Sequence, residues 1–389
     1  MDRVLIYSHD TYGLGHLRRS LRIATAMVAS GSARHVIIAT GSPKARGFAL
    51  PAGVDVVALP AVTKGSDGAY DSLTLGIGLG DLALVRGDLV RSIVRSFRPE
   101  LFLVDHAPTG MGGELIPILE EIAQQYPRPR VVLGMREIVD EAHKVEREWT
   151  ANGVWHQLTN NYDAVVVYGD PVVKTTAIEL GLAARLDVPV QHVGYVAPPS
   201  LELRSRHHRL PTIIVTVGGG GDGLPVLETY VRFLSTSRLA VAIRSVLVTG
   251  PFLPDSPLGR AVDQIAGMPV EVVPFSDRME SVLATADGAV TMAGYNTVAE
   301  LLSYRVPALL VPRVKPRVEQ WLRATRLAAV APFVPVAAGE LTVEHVEDFI
   351  ARILVGTDHF EHQLDLGGAR AASQALARIG DRPLLGVFR

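Results

Sequence analysis

Short apolar runs alternate with stretches of helical spacing through the first half of the chain. "VLIYS", "HVIIAT", "VDVVALP", "LFLVD", "RVVLGM" and "AVVVYG" read as strands, and Leu17, Leu21, Ala24 and Val28 mark the first intervening helix. Strands that are almost continuously Val, Ile and Leu are buried on both faces, which implies a parallel sheet covered by helices. Residues 195–211, "YVAPPSLELRSRHHRLP", break the periodicity with proline and charge. The pattern then restarts with "TIIVTV", a glycine loop, a helix around residues 224–236, "SVLVTG", "VEVVPF", "GAVTM" and "ALLVP". The expected class is therefore α/β, with two Rossmann-like domains whose parallel sheets face each other across a cleft. The expected boundaries are 1–198, a linker over 199–210, a second domain over 211–365, and a helical tail over 366–389 that packs back on the first domain.

Composition narrows the classes. A chain of 389 residues exceeds one ordinary core, in keeping with two domains. The net charge of -2 argues against a nucleic-acid partner, which would need a phosphate-neutralising basic surface. No cysteine is present, so disulfides and thiolate chemistry are excluded, and a reducing cytoplasm is the compatible location. "MDRVLIYS" opens a strand too early for a signal peptide, and no apolar run reaches the roughly 18 residues of a membrane span.

Each half has a glycine loop after its first strand, "YGLGHLRR" and "VGGGGDG". Neither is a dinucleotide fingerprint: Gly13 and Gly15 lack the third glycine, and the second strands do not end in a ribose-binding acid. The phosphate-loop signature, H-E-x-x-H and G-x-S-x-G are also missing. What remains is anion binding without a cofactor. Gly218, Gly219, Gly220 and Gly221 let backbone approach a diphosphate, although a tight strand-to-helix turn alone could also require glycine there. His16 is either a helix-start histidine bonded to nearby backbone or a group working on a hydroxyl or phosphate. His359 and His362 sit among charged residues and read as a solvated helix face rather than metal ligands.

The stretch "MAGYNTVAELLSYRVPALLVPR", residues 292–313, runs a glycine turn into a helix. Thr297 and Glu300 have capping-box spacing, with Thr297 capping and Glu300 reaching back. The alternative is a helix N-terminus behind Gly294 that takes an anion, with Glu300 free to accept hydrogen bonds from a sugar diol.

Residues 270–324, from "VEVVPFSDRMESVLATADGAVTMAGYNTVAELL" through "SYRVPALLVPRVKPRVEQWLRA", resemble the nucleotide-sugar half of GT-B glycosyltransferases of the MurG type. These enzymes transfer N-acetylglucosamine in peptidoglycan synthesis, and plant galactolipid synthases share the pattern. With "LFLVDHAPTG" and "VVLGMREIVDEAHKVEREW", the whole chain resembles a bacterial group of predicted MurG-like glycosyltransferases. The resemblance implies an acceptor domain first and a nucleotide-sugar domain second, in cell-envelope or polysaccharide synthesis. It implies diphosphate binding at Gly218 to Gly221, base recognition at Phe275 and Ser276 largely through backbone, and a ribose contact at Glu300. Gly15, Gly294, Asn296 and Thr297 fall in the loops that surround the nucleotide sugar. The paired Gln that touches the donor sugar becomes Glu319 and Gln320, and the Asn that follows becomes Arg323. An acid at 319 accepts hydrogen bonds but cannot donate them.

The expected function is an inverting, metal-independent transfer from a nucleoside-diphosphate sugar, UDP-linked, to a hydroxyl acceptor that can be lipid-linked, with no cofactor. A non-hydrolysing UDP-sugar 2-epimerase and a non-catalytic nucleotide-sugar-binding protein are the alternatives. His16 is the first candidate base, with Asp105 and His106 as competitors, and Asp105 could equally cap the next helix. Arg313 and Lys315 are placed to assist the leaving diphosphate. Arg86, Arg91, Arg95 and Arg98, interleaved with leucines and valines in residues 73–99, form a basic amphipathic segment, either an ordinary surface helix or a peripheral membrane contact.

Overall fold

The computed structural model describes residues 1–9, 15–64, 70–125, 127–200, 210–217, 223–249, 267–273, 279–356 and 360–381. The chain divides into two compact units, Met1–Val196 with Gly367–Arg389, and Ala197–Leu366.

The first unit contains β1 (Arg3–Ser8), β2 (His35–Thr40), β3 (Val54–Ala58), β4 (Val62–Lys64), β5 (Tyr70–Ser72), β6 (Leu101–Asp105), β7 (Arg130–Arg136), β8 (Ala164–Tyr168) and β9 (Val190–His192). Seven of these form one sheet in the order β3-β2-β1-β6-β7-β8-β9. All its neighbours are parallel, while β4 and β5 pair antiparallel apart from it. Every position of β6 and β8 is buried, as a doubly covered parallel sheet requires. Helix Gly15–Ala29 follows β1, Leu79–Phe97 precedes β6, and Ile116–Ala123 joins β6 to β7. The tail helix Gly368–Gly380 belongs to this unit; Ser373 Oγ lies 3.1 Å from Ser30 Oγ. Gly368 permits that approach, since a Cβ there would stand 2.5 Å from the Tyr195 carbonyl oxygen.

The second unit contains β10 (Thr212–Thr216), β11 (Arg244–Val248), β12 (Val270–Val273), β13 (Gly288–Thr291), β14 (Ala308–Leu310) and β15 (Phe333–Pro335). Its parallel order is β12-β11-β10-β13-β14-β15. Helix Leu224–Thr236 packs Leu227, Tyr230 and Leu234 into its core. In both sheets the strand order reverses beside the first strand, between β1 and β6 and between β10 and β13. Residues that leave these paired strands at their carboxyl ends are therefore neighbours, and in such sheets ligands bind there.

Two sequence expectations are corrected. Arg86 does not lie on a surface face. It is fully buried, its Nε and Nη2 donating to Glu114 at 2.7 and 2.9 Å and its Nη1 to the Pro60 carbonyl at 2.7 Å. Leu82, Arg86, Val90 and Val94 share the inward stripe of their helix, and Glu114 neutralises the charge that this burial would otherwise strand. Arg91 pairs with Asp88 at 2.6 Å and Arg95 with Glu121 at 2.8 Å. Arg95 and Arg98 are exposed, as expected, and the outward face also presents Leu84, Val85 and Leu89 with Asp81 and Asp88. The second correction concerns His362, which lies outside any helix and is half-buried. Its Nδ1 accepts from the Leu364 amide at 3.2 Å, which leaves Nε2–H to donate to the Leu302 carbonyl at 3.3 Å. Its partner in the expected pair, His359, lies outside the described residues, as do most of the expected linker and the loops holding Gly218 to Gly221, Phe275 and Ser276. No helix among the described residues is long and apolar enough to cross a membrane.

Candidate active site

The carboxyl ends of β1, β6 and β7 bring together His9, His16, Asp105, His106 and Arg136, with Arg19 beneath them. Gly15 opens the helix after β1, and this places His16 and Arg19 one turn apart on the side facing β6. His16 Nδ1 stands 2.6 Å from Asp105 Oδ2. Arg19 donates to the same carboxylate, from Nε to Oδ1 at 3.1 Å and from Nη2 to Oδ1 and Oδ2 at 2.7 and 2.8 Å. Arg19 and Asp105 are each only 1% exposed, so this is a buried ion pair with excellent geometry. The Arg19 guanidinium also lies 5.1 Å from the centre of the Tyr168 ring. Gly134 in β7 makes room for that tyrosine, since a Cβ there would fall 1.9 Å from the Tyr168 hydroxyl.

His106 adopts the left-handed region at φ 70°, which His tolerates better than most residues but at a cost of about 1–3 kcal/mol. Its amide donates to the Gly134 carbonyl at 2.6 Å. Arg136 Nη2 stands 3.1 Å from His106 Nε2, and a guanidinium can only donate, so Nε2 is the acceptor and Nδ1 carries the proton. The His106 ring centre lies 5.1 Å from that of His16 and 5.9 Å from that of His9. Electrostatics follows from this crowding. Burial pushes Asp105 up, but Arg19 and His16 outweigh it and hold the carboxyl at about 2. Burial depresses all three imidazoles: His9 to about 3, His106 well below the ordinary value because Arg136 adds to it, and His16 less the opposing pull of Asp105. The cluster thus holds one ionised carboxylate under neutral histidines. Three expected competitors for one role, His16, Asp105 and His106, are parts of a single group.

His9, Arg19 and Arg136 were not found by sequence reading. Arg19 had a signal: it lies four residues before Ile23, which lies four before Met27, on the buried stripe of the helix.

In the second unit, the chain leaves β13 through Met292 and Ala293 into helix Tyr295–Tyr304, with Gly294 at the N-cap (φ -65°, ψ 147°). The capping-box expectation is therefore corrected. Thr297 is the third helical residue, not the cap, because the buried Tyr295 ring starts the helix two residues earlier. Glu300 falls in the second turn and is 3% exposed, too far along to reach an N-cap amide. Asn296 and Thr297 are half-buried in the first turn. Arg323, fully buried, donates to the Ala293 carbonyl at 3.0 Å and so braces the turn before the helix. After β14, Arg313 Nη2 donates to Glu319 Oε1 at 3.0 Å, while Lys315 is exposed. Glu319 and Gln320 open helix Glu319–Ala328, both nine-tenths buried. Glu319 Oε2 and Gln320 Oε1 are buried acceptors with no donor among the described residues. Such atoms cost about 1–3 kcal/mol each until something donates to them.

Residues 214–361 match the glycosyltransferase family 28 C-terminal domain. That match covers most of the second unit. The chain is similar to a UDP-N-acetylglucosamine--N-acetylmuramyl-(pentapeptide) pyrophosphoryl-undecaprenol N-acetylglucosamine transferase of Thermobifida fusca, 30% identical over 173 residues, which are 44% of this chain and 42% of that protein. The enzyme of the same name from Streptomyces avermitilis is 28% identical over 259 residues, 66% of each chain. The alignments thus span from two-fifths to just under two-thirds of these relatives' lengths. The solved structure of MurG from Acinetobacter baumannii aligns over 98% of this chain and 99% of its own, with a TM-score of 0.58 at 14% identity. The fold is GT-B, with a Rossmann-like first unit ahead of the unit that carries the family 28 match.

Proposed function

We propose that the protein is an inverting glycosyltransferase that moves a sugar from a UDP-sugar to a hydroxyl acceptor, with His16 as the base. The observation that carries this reading is the His16–Asp105 contact of 2.6 Å at the carboxyl edge of the first sheet. A carboxylate on Nδ1 fixes the neutral tautomer whose Nε2 lone pair can take a proton. In the proposed step, His16 Nε2 accepts the acceptor hydroxyl's proton as the oxygen bonds to the anomeric carbon. The bond from that carbon to the diphosphate breaks with its electron pair, and UDP departs. Asp105 stabilises the resulting imidazolium, and a single displacement inverts the anomeric centre.

On the second unit, the helix N-terminus at Gly294 suits the diphosphate, and Glu300, an acid in the second turn of that helix, suits the ribose diol. Glu319 Oε2 and Gln320 Oε1 are acceptors awaiting sugar hydroxyls. Gly218 to Gly221, Phe275 and Ser276 keep their proposed contacts to diphosphate and base. UDP as carrier is supported by the relatives' names, which also specify a pyrophosphoryl-undecaprenol acceptor. We extend this to a lipid-linked acceptor at the inner face of a membrane, supported by Leu84, Val85 and Leu89 at 70%, 43% and 39% exposure on one helix.

UDP release from a panel of UDP-sugars with hydroxyl acceptors, with and without chelator, tests the reading, and the product anomer is read by NMR. Release that persists under chelation with inverted product supports it. Retained configuration, an epimerised sugar without transfer, or tight UDP-sugar binding without turnover would each replace it.

A further inference from the structure

We propose that Arg19 is a positioning residue that fixes the orientation and tautomer of His16 through Asp105. The proposal deepens the reading of His16 as base and rests on it for its catalytic meaning, though not for its geometry. Arg19 uses both Nε and Nη2 on the carboxylate, and Nη2 also stands 2.9 Å from His16 Nδ1. Two arrangements satisfy a histidine beside a carboxylate and a guanidinium. In one, Nδ1–H donates to Asp105 and Nε2 is bare. In the other, Nδ1 accepts from Arg19 and Nε2 carries the hydrogen, which leaves it useless as a base. The second sets the Nδ1 lone pair against a carboxylate lone pair at 2.6 Å, which is repulsive. The first has every proton directed at an acceptor, because Arg19 Nη2 already reaches both Asp105 oxygens. The fork prevents the carboxylate from rotating away, and the Tyr168 ring supports the guanidinium from below.

Arg19 has a second consequence. Its fixed positive charge disfavours a proton on His16, so the base stays free when a substrate arrives. Among the described residues, the other charged or titratable groups around His16 are Asp105 from β6, His9 from the end of β1, and His106 and Arg136 from the ends of β6 and β7. Asp105 alone among these favours imidazolium, and Arg19 offsets it. Removing Arg19 takes away a repelling cation and bares the carboxylate, and both changes make His16 easier to protonate.

The experiment is nitrogen NMR on the full chain with labelled histidine, with His16 assigned by loss of its signals in His16→Gln. In the wild type we expect the Nδ1–H tautomer. In Arg19→Gln we expect the His16 titration to move upward by about one pH unit or more, with mixed tautomers in the neutral form. Arg19→Lys, which keeps the charge but not the fork, should shift the same way by less and serves if the Gln variant does not fold. An Nε2–H tautomer in the wild type overturns the proposal without any variant, as does a His16 titration unchanged by both substitutions. Full turnover in His16→Ala would instead overturn the assigned base while the NMR result still judges Arg19.

Discussion

The two domains share one topology and use it differently. At the reversal point of the first sheet, the carboxyl ends are crowded with titratable side chains: His9, His16, His106 and Asp105, held by Arg19 and Arg136. At the carboxyl edge of the second sheet the chain offers a glycine turn and a helix N-terminus after β13, with Glu300 in that helix, and Glu319 and Gln320 at the start of the helix after β14. Topology thus sets where a ligand can sit, whereas the side chains set whether the site can move a proton or only hold a ligand. The first edge is arranged so that a buried guanidinium keeps a carboxylate charged and burial keeps imidazoles neutral. The second leaves Glu319 Oε2 and Gln320 Oε1 as buried acceptors with no donor among the described residues.

The largest expected effect breaks the comparison outright. His16→Ala should lower turnover by roughly 10²- to 10⁴-fold, while nucleotide affinity measured by calorimetry stays within about two-fold, because affinity is assigned to the other domain. A large loss of nucleotide affinity would show that the two roles are not divided between domains. The next effect is on stability. Histidines held neutral by burial bind fewer protons folded than unfolded, so the folded state weakens as pH falls below the unfolded value. For His9 the window runs from 6.5 down to about 3, with a slope of up to about 1.4 kcal/mol per pH unit. Asp105 has the same sign at lower pH: its contribution is present above its ordinary value and is lost as pH falls toward 2. Fluorescence of Trp149 and Trp155 reports the first domain, with Trp321 in the second replaced by Phe. Denaturation followed this way should become less acid-sensitive in His9→Asn, and equal slopes would reject the neutral-histidine field.

Sequence reading recovered the long strands because a doubly covered parallel strand must be apolar at nearly every position, as "LFLVD" and "AVVVY" are. It missed the three-residue strands Val62–Lys64, Tyr70–Ser72, Val190–His192 and Phe333–Pro335, which are too short to show a period, and found the equally short Ala308–Leu310 only through the continuous apolar run "ALLVP". Arg86 was misread for a physical reason. An arginine in a helix is usually exposed, and nothing local to Arg86 announces Glu114, which lies 28 positions away. Spacing alone held the clue, as Arg86 falls midway between Leu82 and Val90 on the buried stripe. His16 and Asp105 were each legible as polar residues after apolar strands, but their pairing across 89 positions was not. The Thr297–Glu300 spacing misled because a motif of that form occurs inside helices as readily as at their starts.

A third expected effect sharpens the ligand side. Glu300→Gln tests the diol reading: a carboxylate can accept from both ribose hydroxyls, whereas Gln accepts at one oxygen. Charge-assisted hydrogen bonds contribute about 1.5–3 kcal/mol, so nucleotide affinity should fall ten-fold or more at matched thermal stability. A 2'-deoxyribonucleotide should lose affinity against the wild type and little against the variant. Equal affinity of both proteins for the ribonucleotide would leave Glu300 with no ligand role.

The smallest effect concerns which sugar is carried. Glu319 gives Oε1 to Arg313 at 3.0 Å and leaves Oε2 as a buried acceptor. Glu319→Gln keeps an oxygen for Arg313 and turns the other position into a donor. A sugar hydroxyl can rotate to meet either partner, but an acetamido carbonyl can only accept. The variant should therefore shift the ratio of kcat/KM for UDP-N-acetylglucosamine over UDP-glucose upward by about three- to ten-fold, one neutral hydrogen bond's worth. Affinity for UDP alone should not change, since the substitution lies at the sugar and not at the nucleotide. A change confined to UDP affinity, or an unchanged donor ratio, would remove Glu319 from sugar selection and leave it as the partner that orders Arg313.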